Sequence, residues 1–504
     1  MMNKETISFK ETGNFSKKFL NFIEKESVSY FPKEKNILNT LESLKFSNEN
    51  RELLHEEVQS QYKKIEIPSL VKENIDLIKS KNTYTITTGH QLNIFTGPMY
   101  VIYKIVSAIN LARHLSKKYP KYNFIPVYWM ASEDHDFEEI KSFYTNGKSY
   151  DWDIESNGPV GNLKTESLKN IFDENISIPD FFRDAYLSGD TLSGAVRKYM
   201  NSLFGEYGLI TFDPNSKRMK GLIQDIMVDD IVNNTIEKIE KSSDSDSEVY
   251  VRKINFFYQG SDFRNRIEKS DKYNILSSKF SFSEMEIKDK IESSPDSFSP
   301  NVITRCLYQQ KILPNVCYVG GPAEIVYWQS FIKFFSHYKI QYPVLIPRDF
   351  VLLLNHKTQK LINKLKLSIG DLFLNKNVIE DKVLSIDLVE SKNFKKEIEQ
   401  IKNLLNNLSD KFEKEDPTMK PHVLATAKKM EKRLLQIERR YINKQKNNND
   451  NLMKKVSELD NYLRPEKSIQ ERKENMISFY DSNLIQNLIQ NLNPLDLNFK
   501  ILKK

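Results

Sequence analysis

A chain of 504 residues has room for roughly three to four domains of about 150 residues each. Its 15 glycines are few against a usual share of about 7%, and 39% hydrophobic with 28% charged residues describe a helix-rich chain with ample core material, which excludes global disorder. The net charge of +7 is small beside 75 Lys and Arg and 68 Asp and Glu, reads as spread along the chain, and argues against nucleic acid as the main partner.

The start, MMNKETISFKETGNF, lacks the apolar stretch of a signal peptide, and the most apolar run, 342–354, is interrupted by Arg348 and Asp349, so no membrane span is expected. Cys306 and Cys317 sit among apolar neighbours without a Cys-x-x-Cys pair, as buried free thiols of a cytoplasmic protein would. Residues 1–80 read as a polar helical region. At Thr83 the vocabulary changes: Tyr84 to Thr88 is β-branched and aromatic, a strand signature, and Pro98 suits the first turn of a helix whose apolar residues run from Val101 to Leu115. A second strand, Phe124 to Ala131, is apolar on both faces, as strands of a covered parallel sheet are. Further strands are expected at 208–213, 315–319 and 342–346. Together they predict an α/β core over 81–370, a Rossmann-like doubly wound parallel sheet interrupted by insertions near 142–200 and 245–300. SSDSDSE at 242–248 reads as a solvated loop.

The last third has a different period. Phe394, Ile398, Ile401, Leu405, Leu408 and Phe412 step by four and three, as do Val423, Ala427, Met430, Leu434, Ile437 and Tyr441 beyond Asp416-Pro417. Two heptad helices joined by a proline turn predict an antiparallel coiled-coil hairpin at 385–465, with a bend at NKQKNNNDN (443–451). Leu404, Leu435 and Ile442, one position beyond the seam, suggest a second copy as partner. Residues 466–504 read as a return segment packing on the core.

Ligands of open parallel sheets bind beyond the carboxyl ends of the strands, and there the chain places TTGHQLNIFTGP (87–98), SEDHDFEE (132–139), GGPAE (320–324) and PRD (347–349). Gly89 and Gly97 allow close backbone approach. Thr96 and the N–H groups of the following helix suit phosphate or carboxylate oxygens, with His90 and Gln91 on phosphate or sugar. Against this, both glycines can be plain turn residues. Glu133, Asp134, His135 and Asp136 in one turn can bind a metal, recognise an amine or act as a base, or Ser132 can cap a helix whose first turn carries acids. Gly320, Gly321 and Glu324 suit a substrate ammonium, or Glu324 complements a helix dipole. Arg348 suits a carboxylate or phosphate.

Four segments, TTGHQLNIFTGPMYVIYKI, PVYWMASEDHDFEEI, SPNVITRCLYQQKILPNVCYVGGPAEIVYW and YLRPEKSIQERKEN, together resemble the bacillithiol-biosynthesis family described as adding cysteine to glucosaminyl malate. The resemblance implies a core akin to class I aminoacyl-tRNA synthetases with connecting-peptide insertions and a dimerising coiled coil. It also implies a cysteine ligase that forms an amide with the amine of glucosaminyl malate, with ATP, and with it Mg2+, as activating partner. Gly89-His90-Gln91 stands where those synthetases carry their ATP-holding histidine-glycine motif. The fuller His-x-Gly-His form, a Lys-Met-Ser-Lys-Ser loop and substrate-selecting zinc cysteines are absent from this sequence. On this reading His90, Asp134, His135 and Asp136 are catalytic. Gly89, Gln91, Thr96 and Gly97 hold nucleotide or phosphate, and Glu133, Gly320, Gly321, Glu324 and Arg348 hold substrate. The metal, if any, is not indicated. The alternatives are a nucleotidyltransferase or ligase acting on another small acid, and a coiled-coil interaction protein with a vestigial nucleotide site.

Overall fold

The computed structural model describes residues 2–174, 176–243, 247–387 and 395–504. They form two compact units, Met1–Leu353 with Ser468–Leu502, and Leu354–Lys467 with Lys503–Lys504. Part of the acidic loop at 242–248 lies outside the described residues, as does Phe394 of the expected coiled-coil seam.

The first unit is built on five parallel strands, β1 (Thr83–His90), β2 (Asn123–Met130), β3 (Ile210–Phe212), β4 (Asn315–Gly320) and β5 (Val344–Pro347), in the order β5-β4-β1-β2-β3. This is the doubly wound sheet read from the continuously apolar strands. Its buried threonines are satisfied across the β1–β4 pair: Thr87 Oγ1 donates to Asn315 Oδ1 at 2.7 Å and Thr88 Oγ1 to the Val319 carbonyl at 2.8 Å. Helix α1 (Met99–Lys118) is buried on almost every side, as a helix apolar all round must be. Ile102, Ile105, Val106 and Ile109 join one core cluster, while Ala108, Leu111 and Leu115 join another with Ile86, Val316 and Ile346.

Between β2 and β3 come a hairpin (Ser142–Thr145 with Lys148–Asp151) and helices ending in Leu192–Phe204. Between β3 and β4 lies a five-stranded antiparallel sheet that includes Phe256–Gln259, Arg264–Lys269 and Phe298–Pro300. Helix α2 (Val302–Ile312) leads from it into β4, and α3 (Pro322–Ser330) follows β4. The amino-terminal region is not wholly helical as expected. Asn3–Ile7 is a strand beside Phe499–Lys503, a partner almost a chain length away that no local pattern reveals.

In the second unit, helices Lys395–Glu415 and Met419–Asn448 pair as a hairpin, and a break at Asn449 precedes Asp450–Leu463. The seam is narrower than the heptads suggest. Ser409 is buried and Leu405, Val423, Ala427 and Leu434 are half-buried, but Ile401, Leu408, Phe412, Met430 and Ile437 stay exposed. The apolar stripe is wider than one partner helix can cover. Positive charge is also less evenly spread than it first reads: Met419–Asn448 carries nine Lys and Arg against Glu431 and Glu438.

Candidate active site

Strand order reverses between β1 and β4, where an open α/β sheet forms its ligand crevice. A cleft of about 370 Å³ lies there, lined among others by Gly89, His90, Gln91, Tyr100, Lys104, Trp129, Glu139, Arg305, Gln309, Glu324 and Trp328. Each arrives by a local rule. His90 and Gln91 end β1, and Trp129 stands opposite Gly89 in register. Tyr100 and Lys104, four apart, share a face of α1, as Arg305 and Gln309 do on α2. Glu324 lies in the first turn of α3, its carboxylate folding back to accept from the Gly321 N–H at 2.8 Å.

His90 is held rather than free. Its Nδ1 lies 3.2 Å from the Gln91 carbonyl, an acceptor only, so Nδ1 carries the proton and Nε2 accepts from the Tyr100 hydroxyl at 2.9 Å. Burial and the nearby Lys104 ammonium lower the imidazole pKa to about 4, while burial raises the Tyr100 phenol to about 12. At neutral pH this is an uncharged pair that fixes the Tyr100 ring.

Beneath it lies a buried ion pair. Lys104 Nζ is 3.0 Å and 2.8 Å from the two carboxylate oxygens of Glu324 and also donates to the Gly89 carbonyl, while Tyr318 donates to Glu324 Oε1. Burial lowers the lysine pKa against the pull of Glu324, and burial of Glu324 is outweighed by Lys104, which keeps the carboxylate ionised. Glu324, read as the seat of a substrate ammonium, thus already holds an internal one. Gly320 and Gly321 form the turn that allows this, and a Cβ on Gly320 would press on Glu324 and Tyr318 at 3.1 Å.

Asp134 stands at the rim among cations. Its oxygens lie 3.5 Å from Arg264 Nη1 and 3.4 Å from Arg305 Nη2, and Gln91 Nε2 donates to Oδ2 at 3.3 Å. Burial disfavours the charge, yet the hydrogen bond from the His135 backbone N–H and the two guanidinium groups hold the carboxyl far below the usual carboxylate range. His135, on the solvent side, accepts from Arg264 Nη1 at Nδ1, 2.9 Å away. Arg264 comes from the inserted antiparallel sheet and is fixed by Ser299 Oγ and the Pro300 carbonyl.

The remaining expected site residues lie elsewhere. Glu133 is fully buried 2.7 Å from Lys220, and Asp136 caps the short helix Phe137–Ile140, accepting from the Glu139 N–H. Thr96 and Gly97 do not reach the cleft. Phe95, Thr96 and Gly97 all have positive φ, and the return segment closes over them: Asn475 Nδ2 donates to the Phe95 and Gly97 carbonyls, each at 2.7 Å. The Met99 N–H, in the first turn of α1, donates to the Glu474 carbonyl at 2.8 Å, so the phosphate cradle expected there does not fit. Arg348 is buried, with Nη2 2.7 Å from Glu471 Oε1 and Nη1 on Glu471 Oε2 and the Asp349 carbonyl, so its charge is already paired inside the protein, although Nε is buried without a partner.

Sequence reasoning missed Lys104, Tyr100, Trp129, Arg264, Arg305 and Gln309. A signal existed for five of them, since Tyr100, Lys104, Trp129, Arg305 and Gln309 lie inside the segments that carry the family resemblance, and Lys104 also interrupts an apolar helix face. Arg264 had none. Among the described residues, no three His, Cys, Asp or Glu side chains gather as a metal-ligand set, and no helix is long and apolar enough to cross a membrane.

A doubly wound sheet with a polar cleft at its switch point defines a Rossmann-like enzyme core. Family models agree: the bacillithiol biosynthesis BshC N-terminal Rossmann-like domain matches residues 2–349, and the BshC C-terminal coiled-coil domain matches residues 351–504. The chain belongs to this BshC family of bacillithiol biosynthesis. Similar proteins, each named "Putative cysteine ligase BshC", include those of Flavobacterium johnsoniae (38% identical, over 99% of this chain and 100% of the relative), Flavobacterium psychrophilum (37%, 100% of both) and Christiangramia forsetii (36%, 99% of both).

Proposed function

We propose that this protein is a cytoplasmic, homodimeric ligase that joins the carboxyl group of cysteine to the amine of glucosaminyl malate in a nucleotide-dependent reaction. The observation that carries the reading is the cleft between β1 and β4, which gathers neutralised ion pairs and unpaired donors in a chain matched over its whole length by relatives named for cysteine ligation. Amide formation needs an amine freed of its proton and a carboxyl group held beside it. Asp134 is too firmly ionised to take that proton well. Its role is to align Gln91 and Arg305. Glu139 lines the cleft with no ion pair among the described residues, and serves as the carboxylate that receives the amine and its proton. Tyr100, pinned by His90, and the Lys104–Glu324 pair shape the wall behind the reacting groups. No phosphate contact is assigned to Thr96 or Gly97.

Reconstitution tests this. Purified protein with cysteine, glucosaminyl malate and ATP should yield the amide, with AMP or ADP released in equal amount, followed by mass spectrometry. Product without nucleotide turnover removes the nucleotide dependence; no product with any nucleoside triphosphate removes the ligase reading.

A further inference from the structure

The helix Met419–Asn448 sorts its side chains by angle. At about 100° per residue, Val423, Ala427 and Leu434 share one narrow sector, half-buried where the helix pairs with Lys395–Glu415. On the opposite side, every residue from 428 to 444 within an arc of about 160° is Lys, Arg, Gln or Asn. Lys428, Lys432 and Arg439 form one edge of this arc, and Arg433, Arg440 and Lys444 form the other. Lys429, Gln436 and Asn443 lie between the edges. All nine side chains are exposed.

This charge is not answered within the protein. The acids of the helix, Glu431 and Glu438, lie off the arc, and its ion pairs are made by Lys420, Glu431 and Lys446. None of the seven cations on the arc joins an ion pair among the described residues. Lys428 and Lys432, Lys429 and Arg433, and Arg440 and Lys444 each stand four apart, where like charges destabilise a helix. A clustered basic stripe along one helix is the electrostatic footprint of a polyanion.

The shape of the arc selects the polyanion. Its edges point about 120° apart, so a flat bilayer surface reaches the middle and not both sides. No apolar side chain lies on the arc to enter a membrane, and no aromatic one offers a platform for unpaired bases. Two phosphate backbones flanking a groove meet both edges at once. The major groove of B-form DNA, about 12 Å wide, admits an α-helix, whereas that of an RNA duplex is too deep and narrow. Lys428 to Lys444 spans about 24 Å of helix, beside a duplex that carries one charge about every 1.7 Å.

We infer that this basic face docks in the major groove of double-stranded DNA, its two edges on the two backbones. Six of the seven cations stand at the edges, so the contact is made to phosphates and carries no sequence preference. The small net charge of the whole chain argues against nucleic acid as the main partner, and this face is a second surface, in the coiled-coil unit rather than at the cleft.

Fluorescence anisotropy tests it, with full-length protein titrated into a labelled DNA duplex at about 50 mM salt. Binding should be micromolar or tighter, and log K should fall against log salt with a slope of about −5, as six neutralised phosphates require. Lys432→Gln with Arg439→Gln and Arg440→Gln should flatten that slope by about three and weaken binding at least about tenfold. Circular dichroism should not change, since these three side chains are exposed and unpaired. Lys420→Gln, a cation off the arc, should alter neither affinity nor slope. An unbound duplex, or a triple variant that binds as wild type does, overturns the inference. Equal affinity for an RNA duplex, polyglutamate or anionic vesicles also overturns it, because the face would then be a plain polyanion or membrane surface.

Discussion

Arg348 and Glu471 lie 123 positions apart and meet fork to fork, with Nη2 2.7 Å from Oε1 and Nη1 3.0 Å from Oε2, both side chains nearly inaccessible to water. The carboxylate also accepts from the Val351 N–H at 3.0 Å, so the pair binds the end of the sheet to the return segment.

Removing one partner of such a pair leaves a buried charge alone. Arg348→Met should therefore destabilise the protein by about 3–5 kcal/mol. The double variant Arg348→Met with Glu471→Leu should recover most of that, remaining about 1–3 kcal/mol below wild type for the orphaned Val351 N–H. Urea denaturation measures both. A fully stable single variant would show that the pair carries no such burden.

His90 makes stability depend on acid. Its folded pKa of about 4 lies below the ordinary 6.5, so between these values the unfolded chain binds more protons than the folded one, and stability falls as pH falls through that window. His90→Gln cannot take up the proton. The melting-temperature gap between wild type and variant should narrow as pH drops from 6.5 towards 4, and a constant gap would exclude the effect.

Asp134 is an aligning group on this geometry. Asp134→Asn should lower kcat/KM about 10²-fold through misplacement of Gln91 and Arg305, with no change in the midpoint of the acid limb of the pH–rate profile. A shifted midpoint would instead make Asp134 the titrating base.

The hairpin leaves Leu404, Met430 and Ile437 exposed at 64%, 48% and 57%. A wide apolar stripe of this kind suits a closed two-fold dimer. Light scattering at micromolar concentration should show a dimer for the full chain, and a monomer for Leu404→Glu with Ile437→Glu, whose circular dichroism should match wild type. A monomeric wild type contradicts the assembly.

The sheet was legible because buried parallel strands leave an unbroken apolar signature, as Phe124 to Ala131 does, and helices around them supply the turns. The switch point could be anticipated too, and Gly89, His90, Gln91 and Glu324 do line it. What stayed hidden depends on partners far along the chain. Thr96 and Gly97 look like a phosphate loop until Asn475 is seen to occupy their carbonyls, and Arg348 looks free until Glu471 arrives. Asp136 reads as catalytic although its carboxylate is used as a cap. Lys104 was passed over for the opposite reason: a lysine in an apolar helix face is usually read as surface, and only the depth of Glu324 shows otherwise.

The three left-handed residues Phe95, Thr96 and Gly97 depend on Asn475 for two of their carbonyl partners. During synthesis, the turn that carries the first strand into α1 must wait for a residue made 378 positions after Gly97. A nascent chain can assemble its sheet early but not finish this turn until Asn475 has been made. A chain that stops short of Asn475 would then keep its parallel strands but leave the Phe95 and Gly97 carbonyls without these partners.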